Sequence, residues 1–262
     1  MIARRTESEI AHLRDANQVV ASVLCALMDM VEPGVTTLEL DAVADGLIRK
    51  AGATPSFLGY HGYPNATCIS VDEVIVHGIP GKRRLKAGEI VSIDVGALLC
   101  GYHGDAAVTV ACGKVDKTRQ RLMKATAQAL VDGIEAATAG NHLEDVSRAV
   151  QRRAEAAGFS VVRKFVGHGI GTSMHEEPQI ANFVTGQPGP ELLPGMVLAI
   201  EPMVNAGTHK VQVLSDGWTA MTGDRKPSAH FEHSVVVREE HAEILSASPR
   251  LPMTQAGWQA AD

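Results

Sequence analysis

No stretch of this 262-residue chain approaches the roughly 20 consecutive apolar residues needed to cross a bilayer. The segment from Met1 to Glu9 also lacks the apolar centre of a signal peptide, so a cytoplasmic protein with no membrane partner is expected. The four cysteines, Cys25, Cys68, Cys100 and Cys112, are far apart and form no CxxC pair. That excludes the usual spacing of a structural zinc or redox couple and leaves free thiols. Low-complexity tracts are missing, as is a Pro/Ser linker, so a folded chain is expected throughout. Basic residues are too few for a general polyanion binder, 24 against 30 acidic ones for a net charge of −6. The run Lys82-Arg83-Arg84 reads as a solvated turn. Hydrophobic residues make up 45% and charged residues 21%, ordinary for a soluble globular chain. The length allows a sizeable core without choosing between one large domain and two fused halves.

Apolar residues recur at helical spacing over residues 9–30 (Ile10, Leu13, Val20, Leu24, Leu27), predicting an amphipathic helix closed by Pro33-Gly34. A second helix is expected from Thr37, taken as the N-cap, through Leu40, Val43 and Leu47 to a stop at Gly52. The period then changes, since residues 89–95 and 106–111 are short and β-branched, as strands are. Helical patterns return over about 118–137 and 143–157, and strand-like runs follow at 196–200, 211–214 and 234–237. Two helices followed by strands thus occur twice. The expectation is one α+β unit over residues 1–262 whose halves meet near 115–120, with helices covering one side of a largely antiparallel sheet.

Asp94 ends an apolar run, where a carboxylate is unwelcome unless paired. Asp105 follows eleven residues later, roughly 36 Å away along a straight strand at about 3.3 Å per residue, so the chain must fold back to join them. Leu98-Leu99-Cys100-Gly101 offers the turn, and an antiparallel pairing centred between two residues there puts both aspartates on one sheet face. Neighbouring carboxylates resist joint ionisation unless a cation neutralises them. Taken alone, the pair equally admits one buried, hydrogen-bonded Asp beside an unrelated loop Asp.

Glu201 and Glu232 repeat the arithmetic on a larger scale. Their midpoint falls between Asp216 and Gly217, a two-residue hairpin signal between residues 211–214 and 218–221. Pro202 and Pro227 interrupt ladders and Gly207 and Gly223 permit bulges, so the register need not hold throughout. Further on, Gly167-His168-Gly169-Ile170-Gly171 sets one histidine among glycines, and Met174-His175-Glu176-Glu177-Pro178 follows. Position 179 is Gln, which rules out the helical HExxH zinc motif. By itself a Gly-His-Gly turn is more often a loop than a metal site.

Together these segments closely resemble the type I methionine aminopeptidases over nearly the whole chain. The motifs are, in order, Gly59-Tyr-His-Gly-Tyr-Pro64, Val76-His-Gly-Ile-Pro80, Ile93-Asp94 with Gly104-Asp105, Gly167-His-Gly-Ile-Gly171, His175-Glu-Glu-Pro178, Ala199-Ile-Glu-Pro-Met203 and Phe231-Glu-His233. The resemblance implies the pita-bread fold, a curved antiparallel sheet covered by two pairs of helices with pseudo-twofold symmetry. It implies a metallopeptidase that removes N-terminal methionine from peptides and nascent chains, working as a monomer in the cytoplasm and at the ribosome. It further implies two divalent ions, drawn from cobalt, manganese, iron and zinc. Asp94 would bind one ion through both oxygens, Asp105 and Glu232 would bridge the two, and His168 and Glu201 would complete the second. One imidazole among four carboxylates is a hard, oxygen-rich set.

By the same resemblance Glu201 also carries the proton from the attacking water to the leaving amine. His175 donates to the oxyanion, and His77 contacts the substrate backbone on the leaving side. Tyr60, Tyr63, Cys68 and Trp218 would form the methionine pocket. Two positions depart from relatives. Met174 stands where an aromatic residue is common, which reshapes the pocket wall. Gly96 replaces a hydroxyl residue, which removes one hydrogen bond near the metals. His12, His61, His103, His142, His209, His230, His233 and His241 are assigned to surface or packing roles, with His103 and His233 adjoining the site and able to orient ligands.

The nearest alternative is another pita-bread aminopeptidase, specific for Xaa-Pro, though such enzymes usually carry an N-terminal domain that has no room before Tyr60. A non-catalytic binding protein of the same fold would have lost metal ligands. A two-metal phosphoesterase would bring a phosphate-cradling loop or basic cluster, and neither is present. No sequence-specific nucleic-acid partner is expected.

Overall fold

A computed structural model of the protein describes residues 2–252; Met1 and residues 253–262, which the expected unit includes, lie outside the described residues. Four helices form, α1 (Glu7–Met28), α2 (Thr37–Lys50), α3 (Lys117–Ala136) and α4 (Leu143–Ala156). Capping chemistry sets where the first two begin. Thr6 and Thr36 each accept from the main-chain N–H three residues on, while Glu9 and Glu39 reach back to the cap. The N-cap of α2 is therefore Thr36 and not Thr37. Thr37 is already helical, and its hydroxyl donates instead to the Gly81 carbonyl at 3.1 Å.

The main sheet has nine strands among the described residues. Its backbone order is Thr54–Pro55, Glu89–Leu99, Tyr102–Cys112, Glu232–Val237, Val197–Ile200, Gly167–Gly169 and Glu176–Ile180, and its strand pairs run antiparallel. Thr67–Val71 adds to Glu89–Leu99, and Ala242–Ile244 to Glu232–Val237. The halves join where Tyr102–Cys112 pairs with Glu232–Val237.

Two hairpins set the geometry. In the first, Leu99 pairs with Tyr102, leaving Cys100 and Gly101 as the turn with φ of 50° and 82°. Positive φ at both positions gives the primed turn that matches strand twist. In the second, every pair is equidistant from the point between Asp216 and Gly217, from Val197↔Val236 through Met203↔His230 to Val213↔Ala220. One register therefore persists through three successive ladders, although the segments between them (Glu201-Pro202 opposite Phe231, and residues 206–210 opposite 223–227) are unladdered. The tip is a four-residue loop, 215–218, between Leu214 and Thr219, rather than the two-residue turn expected. Asp216 accepts from the Trp218 and Thr219 N–H groups and Gly217 takes φ 79°, so the loop builds its own turn.

The helices pack on one face of this sheet. A Cβ at Gly104 would come within 2.6 Å of Asn17 N on α1, so glycine there lets helix and strand touch. Val95, Ala106, Ile200, α1 residues Val20 and Leu24, α3 residue Leu130 and α4 residue Val150 all join one apolar cluster. Side chains alternate faces along a strand, so residues next to these in sequence point away from the helices.

Candidate metal centre

Register alone brings the five predicted ligands to the helix-free face. Asp94 pairs with Ala107, and Ala107 pairs with Glu232, so Asp94 and Glu232 share a row across three strands. Asp105 lies two residues from Ala107, and Glu201 continues the register opposite Glu232. His168 pairs with Ala199, two residues before Glu201. Ligand atoms of Asp105, His168 and Glu232 lie within 4.8 Å of one another. His168 Nε2 is 3.8 Å from Asp105 Oδ2 and 3.5 Å from Glu201 Oε1.

The chemistry of this cluster fits a cation. Five buried side-chain atoms among the described residues lack a hydrogen-bond partner, and four converge here: Asp94 Oδ1, Asp105 Oδ1, Glu232 Oε1 and His230 Nε2. Each such atom costs about 1–3 kcal/mol when unpaired. Burial raises the Asp94 carboxyl to about 7, with His230 opposing and Glu201 adding to the rise. Burial, then the neighbouring acids, push Asp105 and Glu232 well above the usual carboxylate range, and burial does the same to Glu201. Four acids that resist joint ionisation become good ligands once a cation lies among them.

His168 is oriented to match. Its Nδ1 lies 2.9 Å from the Gly169 carbonyl, which can only accept, so Nδ1 carries the proton and Nε2 turns a lone pair to the acids. Burial and then His175 lower its pKa to about 3, against the raising effect of the hydrogen bond to Gly169, so the ring is neutral at pH 7. Glycines on both sides permit this seat. A Cβ at Gly167 would lie 2.4 Å from the Ala199 carbonyl oxygen, and one at Gly169 would lie 2.2 Å from that of Glu177. Gly169→Ala should therefore cost about 3 kcal/mol, measured by denaturant unfolding of the metal-free protein; a change below about 0.5 kcal/mol would show that these strands can separate freely.

The cluster floors a cavity of about 240 Å³. The predicted pocket residues Tyr60, Tyr63, Cys68 and Trp218 line it, with His77 and His175. Cys68 faces Asp94 across the strand pair, and Tyr63 meets Trp218 edge-on at 5.1 Å. Tyr60 Oη is 2.7 Å from His175 Nδ1, and the His175 and His168 rings are 4.3 Å apart. The segment presenting His175 is strapped by Glu176, which accepts from Arg5 at 2.5 Å and from the Ser173 N–H. His77 follows strand Val74–Val76 with φ 59°, its ring edge-on to Phe165 at 5.2 Å, and burial lowers its pKa to about 4. A larger surface depression of about 650 Å³ beside Leu143 and Pro190 contains none of the predicted residues.

Three readings change. His230, assigned to packing, is in the site: its Nε2 is 3.6 Å from Glu201 Oε2 and 4.0 Å from Glu232 Oε2. The signal was present, since residues two apart on a strand share a face. His233, expected to adjoin the ligands, points to the helix side and is bound by Ser246 Oγ and the Pro252 carbonyl, each at 2.7 Å. Gly96 is explained by sterics rather than by a lost hydrogen bond alone, because a Cβ there would lie 2.7 Å from the Phe57 ring. Phe57, which no sequence pattern singled out, packs with Tyr63, Cys68 and Met174 as a wall of the cavity. His103 shares the Asp105 face, and its ring contacts Ser56 Oγ at 2.9 Å.

The family model for metallopeptidase family M24 matches residues 11–239, and the chain belongs to that family. Within it, the chain is 48% identical to the methionine aminopeptidase of Clostridium perfringens over 246 residues, covering 94% of this chain and 99% of that protein. The crystal structure of methionine aminopeptidase from Thermotoga maritima matches with a TM-score of 0.93 at 43% identity, over 95% of this chain and all of that one. The prolidase from Pyrococcus furiosus shares the fold, with a TM-score of 0.78 at 22% identity, and the match covers 66% of that chain. The fold is thus the pita-bread fold, as expected. No described helix is long and apolar enough to cross a membrane.

Proposed function

We propose that the chain releases the N-terminal methionine of peptides and nascent chains whose second residue is small. The observation that carries this reading is a buried acid–histidine cluster at the floor of a cavity walled by Cys68, Met174, Phe57, Tyr63 and Trp218. Soft and aromatic groups suit an unbranched thioether. The 48% identity to a methionine aminopeptidase along almost its full length supports the same substrate, whereas the 22% identity to the prolidase bears only on fold.

Asp94, Asp105, His168, Glu201 and Glu232 would hold two divalent ions, of cobalt, manganese, iron or zinc. Bound there, the ions supply hydroxide at neutral pH and polarise the scissile carbonyl. Glu201 takes the proton from the attacking water and delivers it to the leaving amine. His175 is assigned the Nε2–H tautomer, in which Tyr60 O–H donates to Nδ1 across 2.7 Å and Nε2–H donates to the developing oxyanion. His77, held neutral at pH 7 by burial, stays free to accept from or donate to the substrate backbone on the leaving side. The whole chain acts as one catalytic unit, a monomer working in the cytoplasm on chains leaving the ribosome.

Metal-supplemented protein should release methionine from Met-Ala-Ser at least about 100-fold faster, in kcat/KM, than from Met-Trp-Ser, measured by chromatography of free methionine. Release of the first residue from Xaa-Pro peptides with none from Met-Ala-Ser would overturn the proposal in favour of the Xaa-Pro reading.

A further inference from the structure

We infer that His230 is a positioning residue for Glu201, its Nε2–H holding Glu201 Oε2 so that Oε1 is the oxygen turned toward His168. The inference rests on the role proposed above for Glu201. The two oxygens of that carboxyl face different imidazoles: Oε1 is 3.5 Å from His168 Nε2, and Oε2 is 3.6 Å from His230 Nε2. The imidazoles are not equivalent. His168 has committed its ring proton to the Gly169 carbonyl and offers Oε1 only a lone pair. His230 Nε2 is buried with no hydrogen-bond partner among the described residues, so it can carry a proton, and Glu201 Oε2 at 3.6 Å is nearer to it than Glu232 Oε2 at 4.0 Å. A closure of roughly 0.6 Å brings the pair into the ordinary N–H···O range.

The main chain of His230 is anchored for this purpose. Thr109 Oγ1 donates to the His230 carbonyl at 2.7 Å, accepts from the His230 N–H at 2.9 Å and meets Ser92 Oγ at 2.8 Å, all buried. His230 pairs with Met203 on one side of the unladdered Glu201-Pro202 step, and Ile200 pairs with His233 on the other, in the same register. The carboxyl is thus held between two ladders of one register, the second of which begins at the His230↔Met203 pair. A carboxylate pinned through one oxygen cannot rotate about its terminal bond, which keeps Oε1 facing His168. Outer partners of this kind change activity or metal affinity by about 10–100-fold when removed.

The test compares His230→Leu with His230→Gln, whose amide keeps an N–H at similar reach, in protein whose unsubstituted form cleaves Met-Ala-Ser. If that form does not cleave, the functional reading has failed and the inference falls with it; in protein that cleaves, the outcomes bear on the inference alone. Three quantities are measured: kcat on Met-Ala-Ser, KM on the same peptide, and the visible absorption of the Co²⁺-substituted proteins. His230→Leu should lose about 10–100-fold in kcat, with KM within about twofold. His230→Gln should recover kcat to within about threefold of the unsubstituted protein. The Co²⁺ bands should be the same in all three, because no ligand has changed. Equal loss in both variants, no loss in either, or Co²⁺ bands that shift on substitution would overturn the inference, the last by making His230 a ligand itself.

Discussion

Glu201→Ala should reduce kcat/KM on Met-Ala-Ser by about 10⁴-fold or more. General acid–base help from a positioned carboxylate is worth about 10²–10⁴-fold on its own, and the same substitution removes a ligand oxygen, 3.5 Å from His168 Nε2. The loss should not come from unfolding. Burial raises the Glu201 carboxyl, and Glu201 in turn adds to the rise at Asp94, Asp105 and Glu232, so truncating it removes a desolvated group from the metal-free protein, whose Tm should stay level or rise. Glu201→Gln separates the two roles: an amide oxygen can still bind metal but cannot carry a proton. It should retain more metal than Glu201→Ala by elemental analysis while turning over at a similarly low rate. Activity within about tenfold of the unsubstituted protein in either variant would remove Glu201 from the mechanism.

Metal removal should make stability fall as pH rises from 6.5 to 8.5, the reverse of the metal-bound protein. The sign follows from linkage. Asp94 titrates at about 7 in the metal-free fold, and Asp105, Glu201 and Glu232 lie well above the carboxylate range because of burial. In the unfolded chain all four titrate near 4. Across this window the folded state therefore binds more protons than the unfolded one, and its stability declines with pH. Their stabilising contribution is complete below about pH 4 and is lost as pH rises through the folded values.

The depressed histidines His77, His168 and His233 act oppositely. Their effect fades over about the first unit above pH 6.5, as the unfolded imidazoles finish titrating. The unfolded state is common to metal-bound and metal-free protein, so the difference between the two forms reports the acids. As the proposed ligands the four would be ionised with metal bound, and protons would compete with the metal, so binding should tighten with pH. The gap in Tm between metal-bound and chelator-treated protein should widen by at least about 5 °C between pH 6.5 and 8.5. A constant gap in calorimetry would mean that these carboxyls are not the metal's ligands.

How far the site could be read from the sequence depended on whether a residue's place was set by counting. The turn at Cys100-Gly101 brings Asp94 and Asp105 to one face for any register with its centre between two residues. The second hairpin keeps one register from its tip to Glu201 and Glu232, despite two prolines and two glycines along the way. His230 follows from the same counting, two residues before Glu232, and so does the exclusion of His233, which alternation sends to the helices. Helix starts came from capping residues within one position, the shift from Thr37 to Thr36 being decided by which hydroxyl was free for Glu39 N–H.

The acid pairs that opened the case for a metal were thus determined by the sequence itself, through turn position and strand alternation, which are local properties of the chain. What only the tertiary structure decided lies between segments that no periodicity links. The Phe57 ring fills the space beside Gly96, Arg5 reaches across to Glu176 to strap the His175 segment, and His168 turns its lone pair inward because Gly169 has bent its carbonyl to meet the other nitrogen. These contacts depend on how separate elements pack in three dimensions, and packing is set by shape and volume summed over the whole core, which a one-dimensional pattern does not carry.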